Sequence, residues 1–112
     1  MHHCANIVTG PEGIAEAVLL RAAEAPDGER PELLSGPGRF CAALGLTKAS
    51  SGADLLGGGD LRLFHGRESR PQIGMTPRIG VEYAGEAKDW LLRFFDKCSP
   101  AVSGPARLWK AE

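Results

Sequence analysis

The chain has 112 residues, enough for one small domain, and 43% of them are apolar, which allows a modest core. Its formal net charge is −1, so overall charge does not indicate a nucleic-acid-binding protein. No apolar run is long enough to span a membrane, no basic-then-apolar leader opens the chain, and three widely spaced cysteines do not suit a disulfide framework. We therefore expect a cytoplasmic protein that is neither secreted nor membrane-bound.

The first third of the chain predicts two structured segments joined by a turn. Residues 2–8 are short and apolar-leaning, and they end at the turn signal Gly10-Pro11-Glu12-Gly13. Residues 16–23 suit a helix because they are rich in alanine, or a buried strand because of the run Val18-Leu19-Leu20. Residues 25–34 are polar and contain proline, which is typical of a loop.

Residues 36–47 predict a short helix that begins at an anion-binding loop. Ser35 is a suitable N-cap, and Pro37 suits the first helical turn because its missing N–H costs nothing there. Gly45 then ends the helix. The free backbone N–H groups of the helix start, next to Arg39, suit phosphate as a ligand. The same residues equally describe an ordinary helix start in a small α/β protein, and on their own they favour that interpretation.

The second half of the chain predicts short strands between glycine-rich and basic loops. The predicted elements follow in order: a flexible loop over 49–60, a brief strand over 61–65, a basic loop over 66–71, and one or two strands over 72–83 interrupted at Pro77. Residues 85–95 repeat large apolar side chains at a three-to-four spacing, which predicts a helical turn packed on the core.

Positive charge is concentrated in the middle of the chain. Residues 1–34 hold two arginines and six acidic residues, whereas residues 35–80 hold six lysines or arginines and three acidic residues. This distribution fits a solvated face with scattered charges, and it equally fits a patch that attracts an anionic partner. Charge alone leaves both interpretations open.

Other familiar catalytic and metal-binding motifs are not found in the sequence. His2 and Cys4 would share a strand face, but no C-x-x-C or H-x-x-x-H supplies further zinc ligands, so we expect no metal site. No G-x-S-x-G elbow marks a hydrolase nucleophile, and Gly57-Gly58-Gly59 lacks the Lys-Ser/Thr of a phosphate-binding loop. Cys41 lies between apolar helix neighbours and is most simply a core residue.

Four segments carry a resemblance to a known family. They are MHHCANIVTGPEG (1–13), AVLLRAAE (17–24), SGPGRFCAALGLTK (35–48) and TPRIGVEYAGE (76–86), with a weaker fifth match in RFFDKCSPAVS (93–103). In this order they resemble the alkyladenine (3-methyladenine) DNA glycosylase family. The resemblance covers most of the chain, and it favours pairing residues 2–8 with residues 16–23 as a β-hairpin.

The resemblance implies a fold and a reaction. The fold is α+β, with a curved mixed or antiparallel sheet and short flanking helices, and residues 1–112 would form the C-terminal part of a methylpurine-DNA glycosylase domain. The family extrudes an alkylated or deaminated purine from double-stranded DNA and hydrolyses its N-glycosidic bond, which begins base excision repair. It needs no metal and no organic cofactor. Its members are expected to be monomeric and to work in the cytoplasm, or in the nucleus of a eukaryote.

The resemblance also assigns roles to individual residues. Arg21 matches the arginine that helps hold the attacking water and lies near the phosphate of the extruded nucleotide. Ile79 matches the residue whose carbonyl also contacts that water. Asn6 matches the asparagine that crowds the exocyclic amine of normal guanine and so helps reject it. Met1 and His2 match residues at the mouth and wall of the base pocket.

Contacts with the DNA backbone are implied for a partly overlapping set. The residues are Arg21, Ser35, Gly36, Arg39, Lys48 and Arg78. Two of them also have a simpler interpretation from the sequence alone. Arg21 could be a surface charge at a strand end, and Lys48 could be a cation that favours the C-terminal end of a helix dipole.

Two parts of the family pattern are not found in this sequence. The general-base glutamate, the wedge tyrosine and the aromatic pocket walls belong upstream of the position that Met1 matches, and we expect that segment to be missing. Glu82 and Glu86 are the nearest substitutes for the base. The family's longer basic stretch is replaced by an acidic one within 25–34, which should weaken DNA binding.

These departures leave three functional interpretations. The first is a glycosylase of doubtful activity on its own. The alternatives are a non-catalytic nucleic-acid-binding remnant and a small anion-binding or nucleotide-binding domain. Strand edges left exposed by a missing segment would favour aggregation or a swapped dimer.

Overall fold

The computed structural model describes residues 2–25, 30–66 and 71–103. Within these ranges the strands and the α-helix are β1 (Ala5–Val8), β2 (Ala17–Leu20), α1 (Pro37–Leu44), β3 (Ile73–Thr76) and β4 (Arg93–Asp96). Short 3-10 helices cover Pro31–Leu34, Lys48–Ser50 and Glu82–Asp89. The strands pair as two separate antiparallel sheets of two strands each. The predicted α+β class is confirmed.

β1 and β2 form the first hairpin, with Ala5 opposite Leu20. The connecting turn is closed by a hydrogen bond of 3.0 Å from the Ile14 N–H to the Pro11 carbonyl. Gly13 adopts a φ of +89° in this turn, a conformation that L side chains rarely adopt. The hairpin interpretation of the alanine-rich segment is therefore confirmed over the helical one.

The start of α1 differs from the prediction. Gly36 is the N-cap, and no side chain caps the helix, so the prediction that Ser35 is the N-cap is wrong. The backbone of Ser35 instead pairs with Ala22 in an isolated antiparallel bridge, which extends the edge of β2. The Gly36 N–H donates to the Arg21 carbonyl at 2.7 Å. At the other end, Gly45 is left-handed and ends the helix as predicted.

The core of the described chain is small and lies between α1 and the first hairpin. Its buried members are Ala25, Leu34, Phe40 and Cys41, and they are packed against the half-buried Ala5, Leu20, Ala23 and Leu46. No large side chain of the described residues falls below 2% exposure. The described helices include none with the length and apolarity that crossing a bilayer requires.

β3 and β4 form the second hairpin, in which Gly74 lies opposite Phe95. A Cβ at Gly74 would lie 2.5 Å from the Phe95 ring, so this position needs glycine. The helical turn predicted over 85–95 is wrong in its second half, because Arg93–Asp96 is a strand; a 3-10 helix covers the first half. The strand predicted over 61–65 is also wrong, since that segment is irregular.

The three cysteine thiols should differ sharply in reactivity. Cys41 is 2% exposed, whereas Cys4 and Cys98 are exposed. Burial, with a smaller contribution from nearby Cys4, raises the pKa of the Cys41 thiol. We expect a thiol reagent at pH 8 to label Cys4 and Cys98 rapidly and Cys41 only after unfolding, as counted by mass spectrometry.

The same pKa shift has a consequence for stability. The pKa of the Cys41 thiol is higher in the folded state than in the unfolded chain. The stability that this difference contributes is therefore fully present below the ordinary thiol pKa of about 8.5. The free energy of unfolding should fall as the pH rises through that region.

Equal labelling rates for all three thiols in native buffer would contradict the burial of Cys41.

Candidate functional site

A cleft of about 1130 Å³ lies between the two hairpins. It is lined by β2 and the residues that follow it, by the segment after β3, by β4, and by Ser99 and residues 101–103. Four residues that the family resemblance singled out line this one cleft: Asn6, Arg21, Arg78 and Ile79. The structure therefore brings together side chains from both ends of the chain around a common hollow.

Arg21 follows directly on β2, and its half-buried side chain is anchored across the cleft. Its Nε donates a hydrogen bond of 3.3 Å to the hydroxyl of Ser103, which is 5% exposed. Its backbone carbonyl accepts from Gly36 at the start of α1. Because Nε is the atom that bonds to Ser103, the terminal nitrogens of the guanidinium are the donors best placed to reach an anion.

A second arginine, Arg93 at the start of β4, is buried in the wall of the same cleft with 5% exposure. Its Nη1 donates to the Thr76 hydroxyl at 3.2 Å, and its Nη2 donates a short hydrogen bond to the Ser103 carbonyl. The guanidinium carbon lies 5.1 Å from the centre of the Phe95 ring. Burial, with a smaller effect of neighbouring Arg21, lowers the pKa of Arg93.

Arg78 is half-buried and brings a third guanidinium to the cleft. Its Nη2 donates to the Ala87 carbonyl at 3.3 Å, while its buried Nε has no hydrogen-bond partner among the described residues. A buried donor left unpaired costs free energy.

The charges of the cleft favour an anion. The described lining residues include three arginines and two carboxylates, those of Glu24 and Asp96. Oδ1 of Asp96 already accepts two backbone N–H groups, from Gln72 at 3.3 Å and from Cys98 at 3.0 Å. Low-dielectric walls lined by guanidinium groups attract and hold phosphate more strongly than an open surface does.

The other residues that the resemblance implied lie outside this cleft. His2 lies against Gly38 in the first turn of α1. A Cβ added to Gly38 would lie 2.7 Å from the imidazole ring of His2. Arg39 is exposed on α1 and lines a separate open depression of about 480 Å³. Lys48 is exposed at the start of a 3-10 helix. Met1 lies outside the described residues.

Ser35 and Gly36 lie beside Arg21, although neither lines the cleft. The bridge from Ala22 to Ser35 and the bond from Gly36 to the Arg21 carbonyl hold this corner together. Three of the residues implied in backbone contacts are therefore neighbours, at the junction of β2 and α1. The loop before this junction, predicted over 25–34, lies partly outside the described residues.

The histidines and cysteine at the start of the chain do not form a larger cluster in the described structure. His2 Nδ1 lies 3.8 Å from the Cys4 sulfur, so the two side chains share a face as the strand pattern indicated. Within the described ranges, no group of three or more His, Cys, Asp or Glu side chains is arranged to hold a metal ion.

Sequence reasoning missed Arg93, Thr76 and Ser103 as members of the site. One signal could have found Arg93: it is the only charged residue in the run Trp90-Leu91-Leu92-Arg93-Phe94-Phe95. A lone cation flanked by large apolar residues on both sides indicates burial with specific partners. The incorrect helical prediction for this run considered only the spacing of its large apolar residues and so gave Arg93 no role.

Comparison with known proteins identifies what the chain is similar to. Residues 1–100 match the sequence model of the family described as Methylpurine-DNA glycosylase (MPG). Three curated relatives carry the name "Putative 3-methyladenine DNA glycosylase". They come from Methanocella arvoryzae, at 43% identity, Clostridium tetani, at 37%, and Anaeromyxobacter dehalogenans, at 42%.

The matches cover this chain more completely than they cover the relatives. Each covers 92% of this chain, but only 57%, 60% and 49% of the respective relative. The chain thus spans about half to three fifths of the length of the curated relatives it matches. The resemblance carried by the four sequence segments is confirmed.

Proposed function

Because the chain belongs to the methylpurine-DNA glycosylase family, we propose that its cleft receives a damaged purine nucleotide extruded from double-stranded DNA. In a complete glycosylase domain, the reaction at this cleft would be hydrolysis of the N-glycosidic bond of an alkylated or deaminated purine, in DNA repair. The observation that carries the proposal is the convergence of Asn6, Arg21, Arg78 and Ile79 on one cleft. We also propose that residues 1–112 correspond to the C-terminal part of a glycosylase domain.

The arginines of the cleft support a role in holding the phosphate and the attacking water. Arg21 is oriented by its bond to Ser103, and Arg78 is oriented by its bond to the Ala87 carbonyl. A phosphate oxygen or a water would accept charge-assisted hydrogen bonds from the guanidinium groups of these two arginines. The carbonyl of Ile79, next in the chain to Arg78, would accept a hydrogen bond from the same water.

Asn6 would contribute selectivity at the base. It lies on β1 opposite Leu19 and faces the cleft between apolar residues of β2. The side-chain amide can donate a hydrogen bond to the edge of a purine or accept one from it. At close range it also leaves no room for an additional exocyclic group on the base. Apolar neighbours such as Val18 and Phe94 would cover the faces of the base.

A binding experiment tests this proposal directly. Fluorescence anisotropy would compare a duplex that contains one hypoxanthine with a matched undamaged duplex. We expect Arg21→Ala to weaken binding of the lesion duplex about tenfold, or about 1.4 kcal/mol. Arg62→Ala is the matched control, because Arg62 is exposed and its Nε donates to the Gly59 carbonyl of its own loop. Equal effects of the two substitutions would refute the proposed site.

The exposed cations outside the cleft should contribute sequence-independent affinity. We expect the double variant Arg39→Ala/Lys48→Ala to bind any duplex more weakly. The steepness with which log affinity falls against log salt concentration should also decrease by about 1 to 2. Lys88→Ala/Lys97→Ala removes the same charge from other exposed sites and should leave the slope nearly unchanged. Matching slopes for the two double variants would remove Arg39 and Lys48 from the interface.

A non-catalytic DNA-binding role is the second candidate, and the carboxylates of the cleft favour it. Asp96 is engaged by two backbone N–H groups, and Glu24 is exposed. Neither is placed as a free general base. A free nucleotide that displaced the duplex at equal phosphate concentration would instead favour a small-anion-binding domain.

A further inference from the structure

We propose that Arg93 is a positioning residue that fixes two groups of the cleft, the Arg21 guanidinium and the backbone around Ile79, in their working places. The inference rests on the proposed function, in which Arg21 and Ile79 hold the attacking water. Arg93 itself would touch neither the water nor the DNA.

The geometry of the buried guanidinium supports this role. Arg93 has 5% exposure, and two different terminal nitrogens donate to two different segments, Nη1 to Thr76 and Nη2 to Ser103. The guanidinium is planar and rigid, so these two acceptors are held at a fixed separation and angle. A lysine keeps the charge but cannot reproduce this fork.

The first link leads to Arg21. The backbone carbonyl of Ser103 accepts from Arg93, while its hydroxyl accepts from Arg21 Nε at 3.3 Å. Ser103 is itself 5% exposed, so few other partners compete for it. One buried serine thus receives both arginines, and the position that Arg93 gives to Ser103 determines where Arg21 is held.

The second link leads to Ile79. Thr76 is the last residue of β3, and its hydroxyl accepts from Arg93 and donates to the Pro77 carbonyl at 3.0 Å. The chain then turns through Arg78 to Ile79 at the cleft. Arg93 therefore anchors the point from which this segment leaves the sheet.

Stability alone does not account for a cation at this position. The described acceptors of Arg93 are a hydroxyl and a carbonyl rather than a carboxylate, and Arg21 is a like charge nearby. Replacing a buried charged group by a well-packed apolar residue is often neutral or stabilising. The Phe95 ring recovers part of the desolvation cost. What an apolar residue could not supply is the double hydrogen bond.

Hydrogen exchange at the Arg21 Nε–H, measured by NMR on the 112-residue chain without DNA, tests the positioning. Thr76→Val is the decisive variant, because Thr76 makes no hydrogen bond to Arg21 and can affect it through Arg93. We expect Thr76→Val and Arg93→Lys each to speed exchange at Arg21 about tenfold. Arg62→Lys is the control and should change nothing at Arg21. Unchanged exchange at Arg21 in folded Thr76→Val would overturn the inference, even if Arg93→Lys fails to fold.

A double-mutant cycle with the lesion duplex separates positioning from general destabilisation. Arg93→Lys alone should weaken binding about fivefold, but it should add almost nothing in an Arg21→Ala background. Additive losses would indicate a merely structural role and would contradict the inference. If Arg21→Ala does not affect binding at all, the proposed function fails, whereas the exchange result still decides whether Arg93 positions Arg21.

Discussion

Single-turnover excision of hypoxanthine or 3-methyladenine from a duplex by the 112-residue chain should not rise above the uncatalysed background. Enzymes accelerate reactions of this kind by at least about 10⁶-fold, so the expected deficit against an active glycosylase is very large. The physical reason is the state of the carboxylates. Hydrolysis needs a general base within hydrogen-bond reach of the water that it activates.

The described cleft does not place such a base. Oδ1 of Asp96 already accepts hydrogen bonds from the backbone N–H groups of Gln72 and Cys98, so this oxygen is occupied. Glu24 lines the cleft but is exposed. Glu82 and Glu86, the substitutes that the sequence suggested, lie exposed on the 3-10 helix outside the described cleft lining.

The assay should use enzyme in excess over a labelled duplex, with the Methanocella arvoryzae relative measured in parallel. Excision by the chain at a rate within about tenfold of an active relative would show that a base is present after all. In that case Glu24→Gln and Asp96→Asn identify it, because each substitution removes the base while keeping the size of the side chain. DNA binding by the same preparation verifies that an inactive sample is folded.

Phe40→Ala should remove most of the stability of the folded chain. Truncating a buried phenylalanine costs about 3–5 kcal/mol, and a chain of this length has a free energy of unfolding on the order of 10 kcal/mol or less. Phe40 is the largest of the four buried residues that form the core of the described ranges. Few neighbours remain to close the cavity that the substitution leaves.

Leu44→Ala is the matched control for this prediction. Leu44 lies one turn further along the same helix, α1, but is 51% exposed. We expect its truncation to cost less than about 1 kcal/mol. Urea unfolding followed by circular dichroism gives both values, and labelling of Cys41 reports the opening of the core independently. Comparable losses for the two variants would show that Phe40 does not organise the core.

The elements that the sequence predicted well are those with local signals. Gly10-Pro11 and Gly13 define the first turn, and Gly45 ends α1, because each depends on backbone conformations that few other residues adopt. Ser35 was misread because its backbone pairs with Ala22, and that pairing depends on tertiary contact. A good capping residue does not cap when the chain is held extended at that position.

The second hairpin shows why periodicity was insufficient. A run as apolar as Leu91-Leu92 and Phe94-Phe95 fits a helix and a strand equally well over so few residues. Pairing of Phe95 with Gly74 decides the outcome, and no local pattern reveals a partner that is far away in the sequence. The large ring fits there because the opposite residue has no side chain.

The sequence pointed to some of the residues that line the cleft but not to the connections between them. Family resemblance pointed to Asn6, Arg21 and Ile79, and the structure places them around one cleft. The hydrogen bonds that link Arg21 to Ser103 and Arg93 to Thr76 join positions from opposite parts of the chain. Such links are set by the folded geometry, so a sequence read without a structure gives no sign of them.

The small core described above also determines how the protein responds to temperature. Because few large side chains in the described ranges leave water completely, unfolding should expose little additional apolar surface. The heat-capacity increment of unfolding should therefore lie below the usual value of about 12–15 cal/mol/K per residue. A smaller increment flattens the curve of stability against temperature, so the free energy of unfolding should vary less across the physiological range.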